Sequence, residues 1–297
     1  MKIVLSVVLA LLLLAGTVLA LPFLVDLARY EDHYKPLIEG ALNRKIALQD
    51  IRLTIWPRIG ARVGGLTVLD DPSFSAGPFA SLTSLEVGVK FMPLLSGRVE
   101  VEDIALRNPV ITIIKNQAGV TNVSTIGGTG PTQASAQQPE APVQPTGNPL
   151  QVLALFAVDH VSITGGNVTY RDLSTPTPTE YQIHNLELAL ASVHLGESPT
   201  IRFGATVQPF NLPVTLDGRM GPLTETLDIK QLDFTFGLGK TALRLAGSFV
   251  GGNLDTTVSA PSIKTSDLPI ALSLNKPVEI KDLSLAAKTT FPLKAGA

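Results

Sequence analysis

Four histidines, His33, His160, His184 and His194, are the side chains of this sequence best suited to metal binding or proton transfer. A helical zinc motif needs two histidines four positions apart with a carboxylate beside the first, and no pair here has that spacing. Surface or strand-edge roles are expected for all four. Gly239-Lys240-Thr241 ends like a phosphate-binding loop, but the glycine required five positions earlier is Phe234. No helical pattern follows it, so it reads as a turn between strands. Asp70-Asp71-Pro72 likewise reads as a turn rather than a carboxylate pair. The chain has no cysteine, which excludes disulfides, thiolate catalysis and Cys-based zinc sites. No Ser/His/Asp set and no cofactor fingerprint is present. The expectation is a protein that is not an enzyme and carries no cofactor or metal.

Charge and composition narrow the remaining classes. A net charge of −2 with 16% charged residues leaves no concentrated basic face, so no nucleic-acid partner is expected. Hydrophobic residues make up 45% of the chain and aromatics 5%. The apolar side chains are therefore mainly aliphatic, many of them β-branched, and suit pleated structure. The 25 glycines and 22 prolines punctuate many short elements.

Residues 1–25 read as a transmembrane anchor. From Ile3 to Val25 no charge occurs, and a helix of that length extends ~35 Å, enough for a ~30 Å hydrocarbon core. Lys2 precedes it, and Asp26, Arg29, Glu31 and Asp32 follow, which places the body on the outer face of the membrane. Val18-Leu19-Ala20 is also an acceptable cleavage context, so a removed signal peptide is the alternative. Both readings export the body.

Residues 26–126 read as a helix followed by an antiparallel sheet. Leu37, Ile38, Ala41 and Leu42 share a helical stripe, with Pro36 placed to open the helix, Asp32 or His33 near its cap and Asn43 as a left-handed stop. The period then becomes two: Ile51, Leu53 and Ile55, later Leu85, Val87, Val89 and Phe91, then Val99 and Val101. Ser96-Gly97 reads as the hairpin turn between the last two runs. Residues 127–149, rich in Gly, Pro, Gln and Thr, have no large apolar residue except Val143 and read as a disordered linker. Residues 150–297 read as an all-β antiparallel module. In it Gly165-Gly166 is expected to turn a hairpin with Ile163 opposite Val168 and Val161 opposite Tyr170. Further alternating runs include Leu186/Leu188/Leu190, Leu232/Phe234/Phe236 and Leu243/Leu245, with a phase change after Ile229 that calls for a bulge.

Several segments carry a family resemblance. "YEDHYKPLIEGALNRKIALQDIRLTIWP" after the apolar segment, and "VKFMPLLSGRVEVEDIALRNPVITIIKNQAGVTNVSTI" with its Gly119 and Asn122, are similar to the AsmA-like family of bacterial inner-membrane-anchored envelope proteins. "VDHVSITGGNVTYRD" and "YQIHNLELALASV" resemble that family's next strand units. The chain departs from the pattern in having Asn43-Arg44-Lys45 where a glycine-containing helix stop is usual. The resemblance implies a mainly β fold with an N-terminal transmembrane helix, whose curved antiparallel sheet forms an apolar groove with one short helix packed on it. It implies an inner-membrane, single-pass protein with its C-terminal body in the periplasm and a role in phospholipid handling and outer-membrane homeostasis. From the residues alone a closed two-sheet sandwich stays open as the alternative.

On the groove reading the expected lipid-facing side chains are Leu85, Val87, Val89 and Phe91, then Val99 and Val101, then Leu186, Leu188 and Leu190, then Leu243 and Leu245. The partners would be the inner membrane, phospholipid acyl chains and other envelope proteins. The alternative function is a structural or regulatory factor that affects assembly of outer-membrane proteins.

Overall fold

The computed structural model describes residues 31–55, 58–127, 158–194, 196–222, 224, 228–264 and 278–290. The expected anchor, and all but the first residue of the expected linker, lie outside them. Among the described residues no helix is long and apolar enough to cross a membrane.

Helix α1 (Glu31–Leu42) is followed by β1 (Ile46–Ala47), β2 (Asp50–Thr54), β3 (Gly60–Leu69) and β4 (Pro78–Val89). A short helix α2 (Phe91–Leu95) leads to β5 (Val101–Arg107), β6 (Val110–Lys115) and a 3-10 turn at Asn122–Thr125. Then come β7 (Val158–Asp172), β8 (Thr179–Val193), β9 (Thr200–Gln208), β10 (Leu212–Met220), β11 (Ile229–Leu238), β12 (Thr241–Val250), β13 (Asn253–Lys264) and β14 (Glu279–Thr290). All of these strands belong to one curved sheet, in which β1 and β2 share one flank of β3, and β5 and β6 share the space between β4 and β7. Residues on both sides of 127–149 thus contribute to a single sheet.

The sheet is mixed, not wholly antiparallel. β5 and β6 both run parallel to β7, in registers that include Ile104 with Val161 and Ile111 with Val168. They amount to one strand broken at Asn108-Pro109, where Asn108 has φ 48° and proline offers no N–H to a ladder. Backbone bonds bridge the break: Asn108 N–H donates to Thr164 O at 2.7 Å, and Asn167 N–H to Pro109 O at 2.7 Å.

Opposite the break, Gly165-Gly166 does not turn a hairpin. β7 runs straight through it, and Ile163 and Val168 pair with Leu188 and Ile183 of β8 instead of with each other. Gly165, at φ 67°, is an extra residue absorbed as a bulge. A Cβ there would lie 2.4 Å from Asn108 Oδ1, so the glycine makes room for the break. The phase change after Ile229 is a bulge, as the alternation requires, and Gly239-Lys240 turns β11 into β12.

Two other expectations change. β4 and β5 pair as antiparallel neighbours, but α2 joins them in place of a Ser96-Gly97 hairpin. Pro36 lies inside α1 rather than at its start, with Asp32 and His33 also within the helix. Helix α1 does not cover the sheet: Leu37 is 74% exposed. It is fixed at its C-terminal end, where Asn43 stops it at φ 52° and Gly127 N–H donates to Leu42 O.

A buried polar knot makes that attachment. Asn122, fully buried, receives the Ile114 N–H on its Oδ1 at 2.9 Å, and its Nδ2 donates to Asp70 Oδ2 at 2.8 Å and Thr112 O at 3.0 Å. Arg44, also buried, donates to Asn43 O, Thr125 O, Asn122 O and the Thr125 hydroxyl. The departure at Asn43-Arg44-Lys45 therefore supplies the helix stop and a guanidinium whose partners are mostly main-chain oxygens. Asn122→Ala leaves the Ile114 N–H and the Asp70 carboxylate without this partner, at an expected cost of about 2–4 kcal/mol. Urea unfolding of the variant checks this, with exposed Gln117→Ala as the reference.

At the far end of the β6–β7 seam, Asp172 accepts from the Ser174 hydroxyl and N–H and from Lys115 Nζ at 3.2 Å. The Ser174 bonds, then Lys115, pull its carboxyl down from 3.8 to about 2. A depressed folded-state pKa stabilises the fold above pH 3.8 and loses that effect as pH falls through about 2. The stability gap between wild type and Asp172→Asn should therefore shrink as urea unfolding is repeated from pH 4 down to pH 2. A gap that stays constant contradicts the assignment.

Candidate functional site

Opposite residues on neighbouring strands point to the same side of a sheet, so the pairing register defines the two faces. One unbroken row of partners crosses the sheet from β2 to β14: Leu53, Ala61, Val87, Ile104, Val161, Leu190, Ile201, Gly218, Phe234, Leu245, Val258 and Leu285. None carries a polar side chain. At its single glycine, Gly218, a Cβ would fall 2.1 Å from the Phe234 ring, so that ring covers the gap. A second apolar row runs beside it from Ile51 through Val63, Leu85, Leu106, Ile163, Leu188, Phe203 and Leu216 to Phe236 and Leu243. Phe234 and Phe236 have ring centroids 6.4 Å apart, consistent with their common face.

The adjacent row on the opposite face reads Arg62, Glu86, Ala105, Ser162, Ala189, Arg202, Asp217, Thr235, Arg244, Ser259 and Ser284. Cross-strand ion pairs cover it: Arg202 to Asp217 at 3.1 Å, and Arg244 to both oxygens of Asp233 at 2.9 and 3.0 Å. The Arg244 hydrogen bonds hold the Asp233 carboxyl below its usual range. Two open hollows of about 550 and 480 Å³ lie on this side, lined in part by His160, Arg202, Asp217 and Asp233, and by Arg62, Glu86 and Asp103. Three of the four histidines have polar partners of their own: His160 faces Asp103 at 3.4 Å, His194 faces Asp159 at 3.5 Å, and His184 bonds to Asn167 and Gln182.

The apolar face is not sealed. Eleven residues of the first row are half-buried, and Leu285 on β14 is 59% exposed. Buried apolar side chains among the described residues are few: Ile46, Ile114, Val158, Ala205 and Ala260. Since all the described strands lie in one sheet, a two-sheet sandwich is not what these residues form.

Most sequence-predicted positions meet on this track. Leu85, Val87, Leu188, Leu190, Leu243 and Leu245 belong to the two rows. Leu186 pairs with Gly166 one step along, and Val89 pairs with Val101 across a register shift. Phe91 and Val99 do not belong to it: Phe91 opens α2 and is 51% exposed, and Val99 precedes β5 and is 70% exposed. Helix α2 replaces the last turn of pairing, so the period-two extrapolation from Val89 to Phe91, and from Val101 back to Val99, fails there. Sequence reasoning missed Ile104, Leu106, Ile201, Phe203, Leu216 and Val258. Ile201, Phe203, Ala205 and Val207 do alternate with Arg202, Gly204 and Thr206, so that signal was available.

A family model described as the AsmA family matches residues 1–268. No curated protein matches the chain.

The two faces make a direct prediction. Leu188→Asp places a carboxylate in the apolar rows and should lower binding of an apolar fluorescent dye severalfold. Arg202→Asp, one strand away on the ion-paired face, should leave it unchanged. Equal responses would mean that the register assignment is wrong.

Proposed function

This chain belongs to the AsmA family, whose members are envelope-associated, and from that premise we propose that it binds and hands on phospholipid acyl chains along the apolar face of its sheet. The observation that carries the proposal is the Leu53-to-Leu285 row, which crosses twelve strands without a polar side chain.

Moving a phospholipid through water exposes some 30 methylenes, which costs on the order of 25 kcal/mol at ~0.8 kcal/mol each. A carrier must therefore offer apolar surface without interruption while the head group stays wet. A row that spans twelve strands at ~4.8 Å is about 55 Å long, more than twice an extended acyl chain. Apart from Gly218 and the Phe234 ring that covers it, its side chains are aliphatic and give a smooth wall with little preference among acyl chains. The half-exposure of the row leaves the chains room to enter from the side. No bond is made or broken in this work, so the function is non-enzymatic and needs no cofactor.

The reading places the apolar segment 1–25 in the inner membrane and the sheet in the periplasm, supporting outer-membrane lipid homeostasis. The regulatory alternative, an effect on outer-membrane protein assembly through protein contacts, makes no use of an apolar row of this length.

Transfer of a fluorescent phospholipid between vesicles by the reconstituted chain tests the proposal. Leu190→Asp and Val258→Asp each put a carboxylate into the row, where a bound acyl chain would strip it of water, and should slow transfer about tenfold or more. If the wild-type chain moves no lipid, yet the same carboxylates disturb outer-membrane protein assembly in cells, the regulatory reading replaces this one.

A further inference from the structure

The β4–β5 connection exposes more large apolar surface than a soluble turn has reason to. Phe91 is 51% exposed, Met92 73%, Leu95 69% and Val99 70%. They project from α2 and the residues after it, beside the β4 end of the apolar track at Val87 and Val89. We propose that the Phe91–Val99 tip dips into the surface of a phospholipid bilayer, and so docks the first strands of the sheet where acyl chains enter the track. This rests on the lipid-carrying reading above.

Three observations select a bilayer over a protein as the occupant. First, the backbone of the tip is closed on itself. The Leu94, Ser96, Gly97 and Arg98 N–H groups donate to the carbonyls of Lys90, Pro93 and Leu94, and the Ser96 hydroxyl to Pro93 O. Pro93 has no N–H to satisfy. Unpaired backbone donors are a large cost of entering lipid, and this turn has already paired four of its own. Second, the apolar side chains sit between Lys90 and Arg98, long basic side chains that reach back toward head groups while their stems stay apolar. Lys90 is anchored to Asp159 at 2.9 Å, and Arg98 lies 3.9 Å from Glu100, so neither charge is carried into the apolar layer alone. Third, the tip is a short helix and turn, and offers no strand edge to which a peptide could pair.

The position of the tip also fits. Helix α1, which follows the apolar N-terminal segment, meets the sheet at β1, and β1 pairs with β3 at Val68 and Thr67. The tip lies near the other end of β3, where Gly60 pairs with Gly88. The eight steps of strand from Val68 to Gly60 separate them by roughly 26 Å. Contacts at both ends would lay the first edge of the sheet along the bilayer.

The absence of cysteine makes the test clean. The full chain is reconstituted in vesicles of phosphatidylethanolamine and phosphatidylglycerol, with a polarity-sensitive dye on Met92→Cys, Leu95→Cys or Phe210→Cys. Phe210 is also exposed, at 54%, in the connection between β9 and β10. The dyes at 92 and 95 should shift to the blue and be quenched by acyl-brominated lipid, while the dye at 210 reports water. Dyes at 92 and 95 that match the one at 210 overturn the proposal. A double variant, Met92→Glu with Leu95→Glu, should slow lipid transfer about tenfold while apolar-dye binding to the track stays at the wild-type level. Unchanged transfer also overturns it. A tip that is immersed in a chain moving no lipid would refute the carrier reading and leave the docking intact.

Discussion

Strand register is the constraint on which this protein depends. Side chains alternate with period two, so a slip of one residue sends every side chain of a strand to the other face. A row of twelve apolar partners therefore survives only if each pairing holds its phase. Single aliphatic contacts between neighbours stabilise little. What the register achieves is continuity, and one misplaced charge would interrupt the path for everything beyond it.

The irregularities of the sheet serve that continuity. On β7 the extra residue at Gly165 opposes the break between β5 and β6, and on β8 an extra residue near Asn185, at φ 51°, restores the phase against both β7 and β9. Without this pair of corrections, Leu188 and Ile183 could not both face the apolar side. The bulge between Ile229 and Leu232 brings Ile229 into phase with Phe234 and Phe236. Bulges also bend a strand and increase its local twist, so the devices that preserve phase also contribute to the curvature. The opposite face is held differently, by ion pairs such as Arg202 with Asp217 and Arg244 with Asp233 that sit at the water boundary.

Much of this was legible in the sequence because alternation is local. The pairs Leu85/Val87, Leu188/Leu190 and Leu243/Leu245 can be assigned to one face from spacing alone. Which strands lie side by side is not local, and there the reading went astray. Gly165-Gly166 has the composition of a two-residue turn, yet its flanking segments find better partners in β8 and in the broken β5–β6 strand, far away in the chain. Val99 and Phe91 alternate correctly with Val101 and Val89, but Pro93 helps make the segment between them helical, and both leave the sheet. The polar knot was nearly invisible: Asn122 stood out only as part of a family-like tail, and nothing in the local pattern shows that Arg44 reaches it.

The central claim is that one face of the sheet touches acyl chains and the other does not, and photo-crosslinking along adjoining strands tests it most directly. A photoreactive residue is placed in turn at Phe234, Thr235 and Phe236 on β11 and at Leu243, Arg244 and Leu245 on β12, in cells, and adducts are analysed for phospholipid. The account predicts phospholipid adducts at 234, 236, 243 and 245 and none at 235 and 244. Adducts distributed without that alternation, or protein alone at the apolar positions, would contradict it.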